Sequence, residues 1–421
     1  MELLEYILDT NNLFKAYKQV YSNKGSVGVD GVTVDELGKY LYENKKEIKN
    51  LIRTRKYEPS PVRRVEIPKE NGKMRQLGIP TVVDRVIQQA MVQVLSPIFE
   101  NQFSENSYGF RPKRSCEMAV IKSLEIMNDG YDYIVDIDLE RFFDTVNQDK
   151  LIGIIRKTIK DGEVISLIMK YLQSGVMIDG LFEKTEKGTP QGGNLSPLLS
   201  NIMLNKLDKE LEARGLNFTR YADDCLIYVK SEKAAMRVME SITKFIEKKL
   251  GLIVNASKSK VSRPKEIKYL GYGYYINKQG KYRPKPHIKS IQKLKHKIKL
   301  LLKRSWSVSL DNRLKKLKQL IVGWVNYFRI ADMKTLMTKI DSHIRRKTRT
   351  VIWKRWKNCR TRYNNLLKLK INPNEARKYA YSSKSYWRIS SATIIHKAIS
   401  NKRLGKRGLA SMLDQYLKVH V

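Results

Sequence analysis

Two aspartates stand side by side in Tyr221-Ala222-Asp223-Asp224, between Phe218-Thr219-Arg220-Tyr221 and Cys225-Leu226-Ile227-Tyr228-Val229. Both flanks are rich in β-branched and aromatic residues, so the segment reads as a hairpin with two carboxylates at its tip. Adjacent carboxylates repel, and a turn that presents them suits a cation. Asp is also an ordinary solvated turn residue, so the tip alone decides nothing. A second carboxylate site lies upstream, in Tyr133-Ile134-Val135-Asp136-Ile137-Asp138-Leu139-Glu140-Arg141-Phe142-Phe143-Asp144. Ile134 to Ile137 is apolar enough for a buried strand that ends at Asp138. Carboxylates from two strands, joined by bridging oxygens, suit a pair of Mg²⁺ ions roughly 3.5–4 Å apart. Such a pair would bind a triphosphate, activate an attacking hydroxyl and stabilise a leaving group. The plainer reading gives Asp136, Asp138 and Asp144 to strand ends and helix caps.

The elements around these residues follow a pattern. The strand ending at Asp138 leads to a helix from near Gln148, and another helix spans Asn194 to Arg214, opened by Ser196-Pro197. The hairpin carrying Asp223 comes next. Met236, Met239, Ile242, Phe245, Ile246 and Leu250 then repeat at helical spacing. Ile253-Val254 and Ile267-Tyr269 are strand-like. Strand, helix, hairpin, helix, strand is the split βαβ order of a ferredoxin-like sheet. Upstream, Arg63 to Pro80 reads as a hairpin turning at Lys69-Glu70-Asn71-Gly72-Lys73. Asp84 to Leu95 and Glu117 to Met127 read as helices. Beyond Ile288 come three apolar stripes at helical spacing. They run Ile288 to Leu301, Leu314 to Phe328 and Leu336 to Ile344, and should bundle.

The 421 residues exceed what one core holds, so two or three domains are expected. Net charge is +40, and residues 281–421 carry 38 Lys and Arg against 5 Asp and Glu, or +33. That excess would destabilise a free domain by self-repulsion, and a polyanionic partner resolves it. Trp353, Trp356, Tyr363, Tyr379, Tyr381, Tyr386 and Trp387 interleave with its basic residues, as suits nucleic acid through phosphates and stacking. Cys116, Cys225 and Cys359 are too scattered for a zinc site or a disulfide framework. No signal-peptide pattern or membrane-length apolar run is present, so bacterial cytoplasm is the expected location and no membrane partner is expected.

The two carboxylate sites, in this order, resemble the palm of reverse transcriptases. Lys187-Gly188-Thr189-Pro190-Gln191-Gly192-Gly193-Asn194-Leu195-Ser196-Pro197-Leu198 resembles the loop that backs the incoming nucleotide. Ser107-Tyr108-Gly109-Phe110-Arg111-Pro112, Gly251 to Lys258 and Lys268-Tyr269-Leu270-Gly271-Tyr272 resemble further blocks. Leu320 to Phe328 is similar to the maturase segment of group II intron-encoded proteins. The likeness covers nearly the whole chain. Gln148 stands where many relatives carry His, outside the metal site.

The resemblance implies an α+β right-hand polymerase. Fingers and a ferredoxin-like palm would span 1–280, a helical thumb 281–357 and a basic C-terminal module 358–421, with no endonuclease. It implies an RNA-directed DNA polymerase that also acts as a maturase in splicing and retrohoming. Asp138, Asp223 and Asp224, with the Ile137 carbonyl, would hold two Mg²⁺ ions, or Mn²⁺. Lys69, Arg75, Phe143, Pro190, Gln191 and Lys258 would line the dNTP site, with Phe143 excluding a ribose 2′-hydroxyl unless it is simply core beside Phe142. Tyr269, Leu270, Gly271 and Tyr272 would grip the primer. Arg345, Arg346 and Arg349 would bind nucleic acid. The implied partners are intron RNA, an RNA template with a DNA primer, a DNA target and dNTPs, on a monomer or homodimer. Two rival readings are a splicing cofactor that does not polymerise and a stand-alone host-defence reverse transcriptase.

Overall fold

The computed structural model describes residues 2–420 except Lys69, Glu70, Asn71, Lys73, Asp179, Glu186, Pro190 and Gln191. They form two compact units, Met1–Arg263 and Pro264–Val421. The division falls upstream of the composition change at residue 280, so Tyr269 to Tyr272 belong to the second unit.

The first unit contains two four-stranded sheets. In one, β1 (Val62–Pro68) and β2 (Met74–Ile79) form the antiparallel hairpin that the Asn-Gly signal predicts. The other contains β3 (Tyr133–Ile137). Two short strands, β4 (Val176–Ile178) and β5 (Leu181–Glu183), extend the first sheet to the order β2-β1-β4-β5, with β4 parallel to β1. The second sheet is completed by β6 (Asn217–Tyr221), β7 (Asp224–Val229) and β8 (Lys260–Ser262), in the order β6-β7-β3-β8. Its pairings are all antiparallel. The strand, helix, hairpin, helix, strand order is present. The closing strand, however, is neither Ile253-Val254 nor Ile267-Tyr269. Val254 makes only an isolated bridge to Leu139, and the open edge of β3 recruits Lys260–Ser262 instead. A Lys-Val-Ser tripeptide carries too little apolar signal to be read as a strand alone.

Helices pack on this sheet for ordinary reasons. Ser115, Asn147 and Ser231 each accept a backbone N–H and start the helices Cys116–Asn128, Gln148–Thr158 and Glu232–Phe245. Pro197 sits in the first turn of Ser196–Ala213, where its missing N–H costs nothing. Glu232–Phe245 continues into a π-helical turn, Ile246–Leu250, which ends at Gly251 in the left-handed region. One continuous core runs beneath the sheet and includes Val135, Ile137, Phe142, Met203, Phe218 and Ile227.

The second unit opens with the hairpin β9 (Tyr272–Ile276) and β10 (Tyr282–Pro286). The three helices expected from the stripes are Ile288–Leu301, Leu310–Tyr327 and Lys334–Arg355. A fourth, Met412–Val419, returns to pack against the latter two, which corrects the three-helix expectation. Asp341 fixes it by accepting the N–H groups of Met412 at 2.8 Å and Leu413 at 3.1 Å, and the hydroxyl of Ser411. Trp353 belongs to the core of the last module, with Leu366, Ile389 and Ile395, so its bulk is not a stacking surface.

Candidate active site

The β6–β7 turn is two residues long, closed by the pair Tyr221–Asp224, and Ala222 adopts a φ of +57°. Asp223 is half-buried at the tip and Asp224 is exposed. The ladder between β3 and β7 ends at the pair Ile137–Cys225, so Asp138 leaves β3 beside that turn. Asp138 is held on both sides. Its N–H donates to Ser259 Oγ at 3.0 Å, and its carbonyl accepts from Asn255 N at 2.8 Å. Lys258 Nζ lies 3.0 and 3.2 Å from the two carboxylate oxygens of Asp138.

One cleft of about 570 Å³ gathers Asp138, Asp223, Asp224, Arg75, Phe143 and Lys258. Phe142 is 2% exposed and serves the core, whereas Phe143 is half-exposed to the cleft, edge-on to it at 5.3 Å. Period-two alternation could not separate this pair; a short helix, Phe142–Thr145, does. Asp136 is no part of the cleft. It sits opposite Lys260 in the sheet, where burial pushes its carboxyl up to about 6 against the pull of that lysine. Lys69, Pro190 and Gln191 lie outside the described residues.

Among the described residues no group of three or more His, Cys, Asp and Glu closes on one point. The donor set still fits Mg²⁺. It is all hard oxygen, from two strands, and Mg²⁺ takes one or two carboxylates and completes its shell with water and phosphate oxygens. The ammonium seated on Asp138 marks the pull of that carboxylate on cations.

Several residues that sequence reasoning passed over build the site. Arg220 is fully buried and its guanidinium pairs with both oxygens of Asp208, at 2.7 and 2.6 Å. It also donates to the Ala222 carbonyl at 2.9 Å and to Ser107 Oγ at 2.8 Å, tying the turn to the interior. Gly109 packs on the turn itself: a Cβ there would lie 2.3 Å from Ala222 N. Gln148, noted above only as a departure, is buried and donates to the carbonyls of Leu172 and Gly188. Thr189 N donates to the Phe143 carbonyl at 2.6 Å, so the Lys187–Thr189 loop leans on the helix that carries Phe143. A charged residue between Phe218 and Tyr221, one before the turn, was the available signal for Arg220.

Within the second unit, Tyr269 and Tyr272 exchange backbone hydrogen bonds around Leu270 (φ +49°) and Gly271 (φ +85°), a tight type I′ turn. Tyr327 Oη donates to the Leu270 carbonyl at 2.8 Å. Arg346 lies 3.9 Å over the ring of Trp387. Arg349 corrects the expectation. It is 3% exposed, and it donates to the Ile399 carbonyl and to Asn401 Oδ1 at 2.9 and 2.8 Å. An arginine spent on internal acceptors is a strut, not a phosphate contact.

Residues 67–274 match the family model for reverse transcriptase (RNA-dependent DNA polymerase), and residues 291–369 match that for the group II intron maturase-specific domain. Protein YkfC of Escherichia coli is 34% identical over 321 residues, covering 66% of this chain and 84% of that protein. The group II intron-encoded protein LtrA of Lactococcus lactis is 40% identical over 219 residues, covering 52% of this chain and 36% of that protein. The chain therefore spans only about a third of the second relative's length. With two carboxylate strands meeting in one cleft and a maturase-specific segment downstream, the chain belongs to the reverse transcriptase and maturase family encoded by group II introns.

Proposed function

We propose that this RNA-directed DNA polymerase extends a DNA primer along an RNA template in the cleft between β3 and the β6–β7 turn. The first unit serves as fingers and palm, and the helices of the second as thumb and maturase domain. The observation that carries the reading is the convergence of Asp138 and Asp223 in one cleft with Arg75, Phe143 and Lys258. Asp138, Asp223 and Asp224, with the Ile137 carbonyl, would hold two Mg²⁺ ions, with Mn²⁺ the alternative. Bound there, the ions supply Lewis acidity at the attacking 3′-hydroxyl and at the leaving pyrophosphate. The protein's own part is placement. Arg75 offers a planar fork, and Lys258 a mobile ammonium, to triphosphate oxygens. Phe143 closes the space beside the sugar. Tyr269 to Tyr272 form the stiff turn assigned to the primer end.

The test is primer extension by the purified protein with Mg²⁺ and dNTPs. Asp223→Asn keeps shape and removes charge, so extension is expected to vanish while RNA affinity stays near wild type. Extension at the original rate would overturn the assignment. The basic last third favours a concurrent maturase role on intron RNA, with a DNA target for retrohoming.

A further inference from the structure

Three helical segments of the first unit turn lysine-bearing faces toward one depression of about 620 Å³. Gln148–Thr158 contributes Lys150, Gly153 and Lys157, three and four residues apart and so on one face. Ser196–Ala213 contributes Met203 and Lys206. Phe245 and Lys249 come from the end of Glu232–Phe245 and the π-helical turn after it. The floor is apolar, with Ile154 and Phe245 half-buried over the core residue Met203, and the lysines on the rim are exposed. Glu210, the acid that lines the depression, is engaged by Arg214, and Lys209 on the same rim is held by Glu212. Among the described residues Lys157, Lys206 and Lys249 have no acidic partner.

Gly153 supplies a second, independent observation. It lies exposed in a helix interior, where glycine weakens the helix. A Cβ there would meet nothing within 4 Å, so no neighbour in the unit demands its absence. A bare backbone at the centre of a lysine rim leaves room for a group from outside.

We propose that this depression binds single-stranded RNA. The rim lysines take backbone phosphates, and one unstacked base lies over Gly153 against Phe245. Lysines on flexible stems take phosphates without a fixed fork geometry. An aromatic, apolar floor suits a splayed base, which unpaired RNA offers and a duplex withholds. The proposal rests on the reading of the chain as an RNA-handling enzyme. It adds an RNA contact on the catalytic unit, lined by none of the cleft residues and lying outside the basic last third.

The test uses the full chain, a fluorescent oligouridylate, a blunt RNA duplex and anisotropy across a salt series. Lys157→Gln/Lys206→Gln/Lys249→Gln is expected to weaken oligouridylate binding at least tenfold. It should flatten the log–log salt slope by about 2, at roughly 0.7 per phosphate contact on a single strand. Gly153→Leu should melt at or above the wild-type temperature and keep the wild-type slope. It should still bind oligouridylate at least threefold more weakly, with duplex affinity unchanged. RNA carrying 4-thiouridine should cross-link to the peptide containing Phe245. Wild-type slope and affinity in the triple variant would overturn the proposal, as would equal losses on strand and duplex. So would absence of that cross-link, or competition by polyglutamate as strong as by RNA, which would indicate an acidic protein partner. Failure here with primer extension intact refutes this site alone; failure of wild-type extension refutes the functional reading instead.

Discussion

Phe143 and Asp208 show how differently single side chains serve one cleft. Phe143 lines the cleft and also packs against the core beside Phe142, so Phe143→Ala removes a wall of the cleft at some cost in packing. The expected outcome is a rise in ribonucleotide incorporation relative to dNTP, read from competing extension assays. An unchanged ratio with activity retained would return Phe143 to a packing role. Asp208 touches no part of the cleft yet neutralises the buried Arg220, which in turn holds the Ala222 carbonyl. Asp208→Asn leaves that guanidinium without a charge partner in a dry interior. Breaking such a pair costs about 3–5 kcal/mol, which denaturant unfolding would register. A loss below about 1 kcal/mol would show that Ser107 Oγ and Asn201 Oδ1, which accepts from the same guanidinium at 3.1 Å, suffice to satisfy the arginine.

Elements carried most of the legible information. The β1–β2 hairpin, the strand ending at Asp138 and the Asp223 hairpin were readable because their apolar runs and turn residues are local signals. The closing strand Lys260–Ser262 was not, because its pairing is decided by β3 and not by its own three residues. The C-terminal helix Met412–Val419 was missed for a like reason: its anchor, Asp341, lies far upstream. At the site, Asp138, Asp223 and Phe143 were legible through spacing and resemblance. Arg220 and Gly109 were not, because burial and close approach arise only after folding. Gly109 gives the element-scale prediction. Gly109→Ala forces the segment beside β6 off the Ala222 turn, since backbone atoms there cannot yield as a side chain tip would. A displacement near 1 Å costs about 100-fold in rate. Single-turnover extension per folded protein should fall by about that factor, and the melting temperature should fall too, since overpacking of this kind costs about 1–3 kcal/mol. Wild-type rates would mean that the turn tolerates the shift.

At the scale of the molecule, charge is divided unevenly, and not every arginine of the basic third is available to a polyanion. Arg345→Gln should weaken RNA binding and flatten the log–log salt slope by about 0.7 on single strands, whereas Arg346 already donates to the Trp387 carbonyl and covers its ring. Arg349→Gln should leave the slope unchanged, and lower the melting temperature instead by stranding buried acceptors, at about 1–3 kcal/mol. Equal slopes in all three proteins would show that the excess charge acts through other residues. The sheet order also has a consequence for how the chain is made. β3 is the inner strand that pairs with both β7 and β8, yet the ribosome delivers it first. Its partners follow about 85 to 125 residues later, which at roughly 5–20 residues per second is about 4 to 25 s of synthesis. An apolar strand with Ile134, Val135 and Ile137 stands open on both edges until β7 is made and on one edge until β8 is, a template for pairing with a neighbouring nascent chain. Yield of folded enzyme should therefore depend on translation speed and on chaperones that shield this strand until β8 emerges.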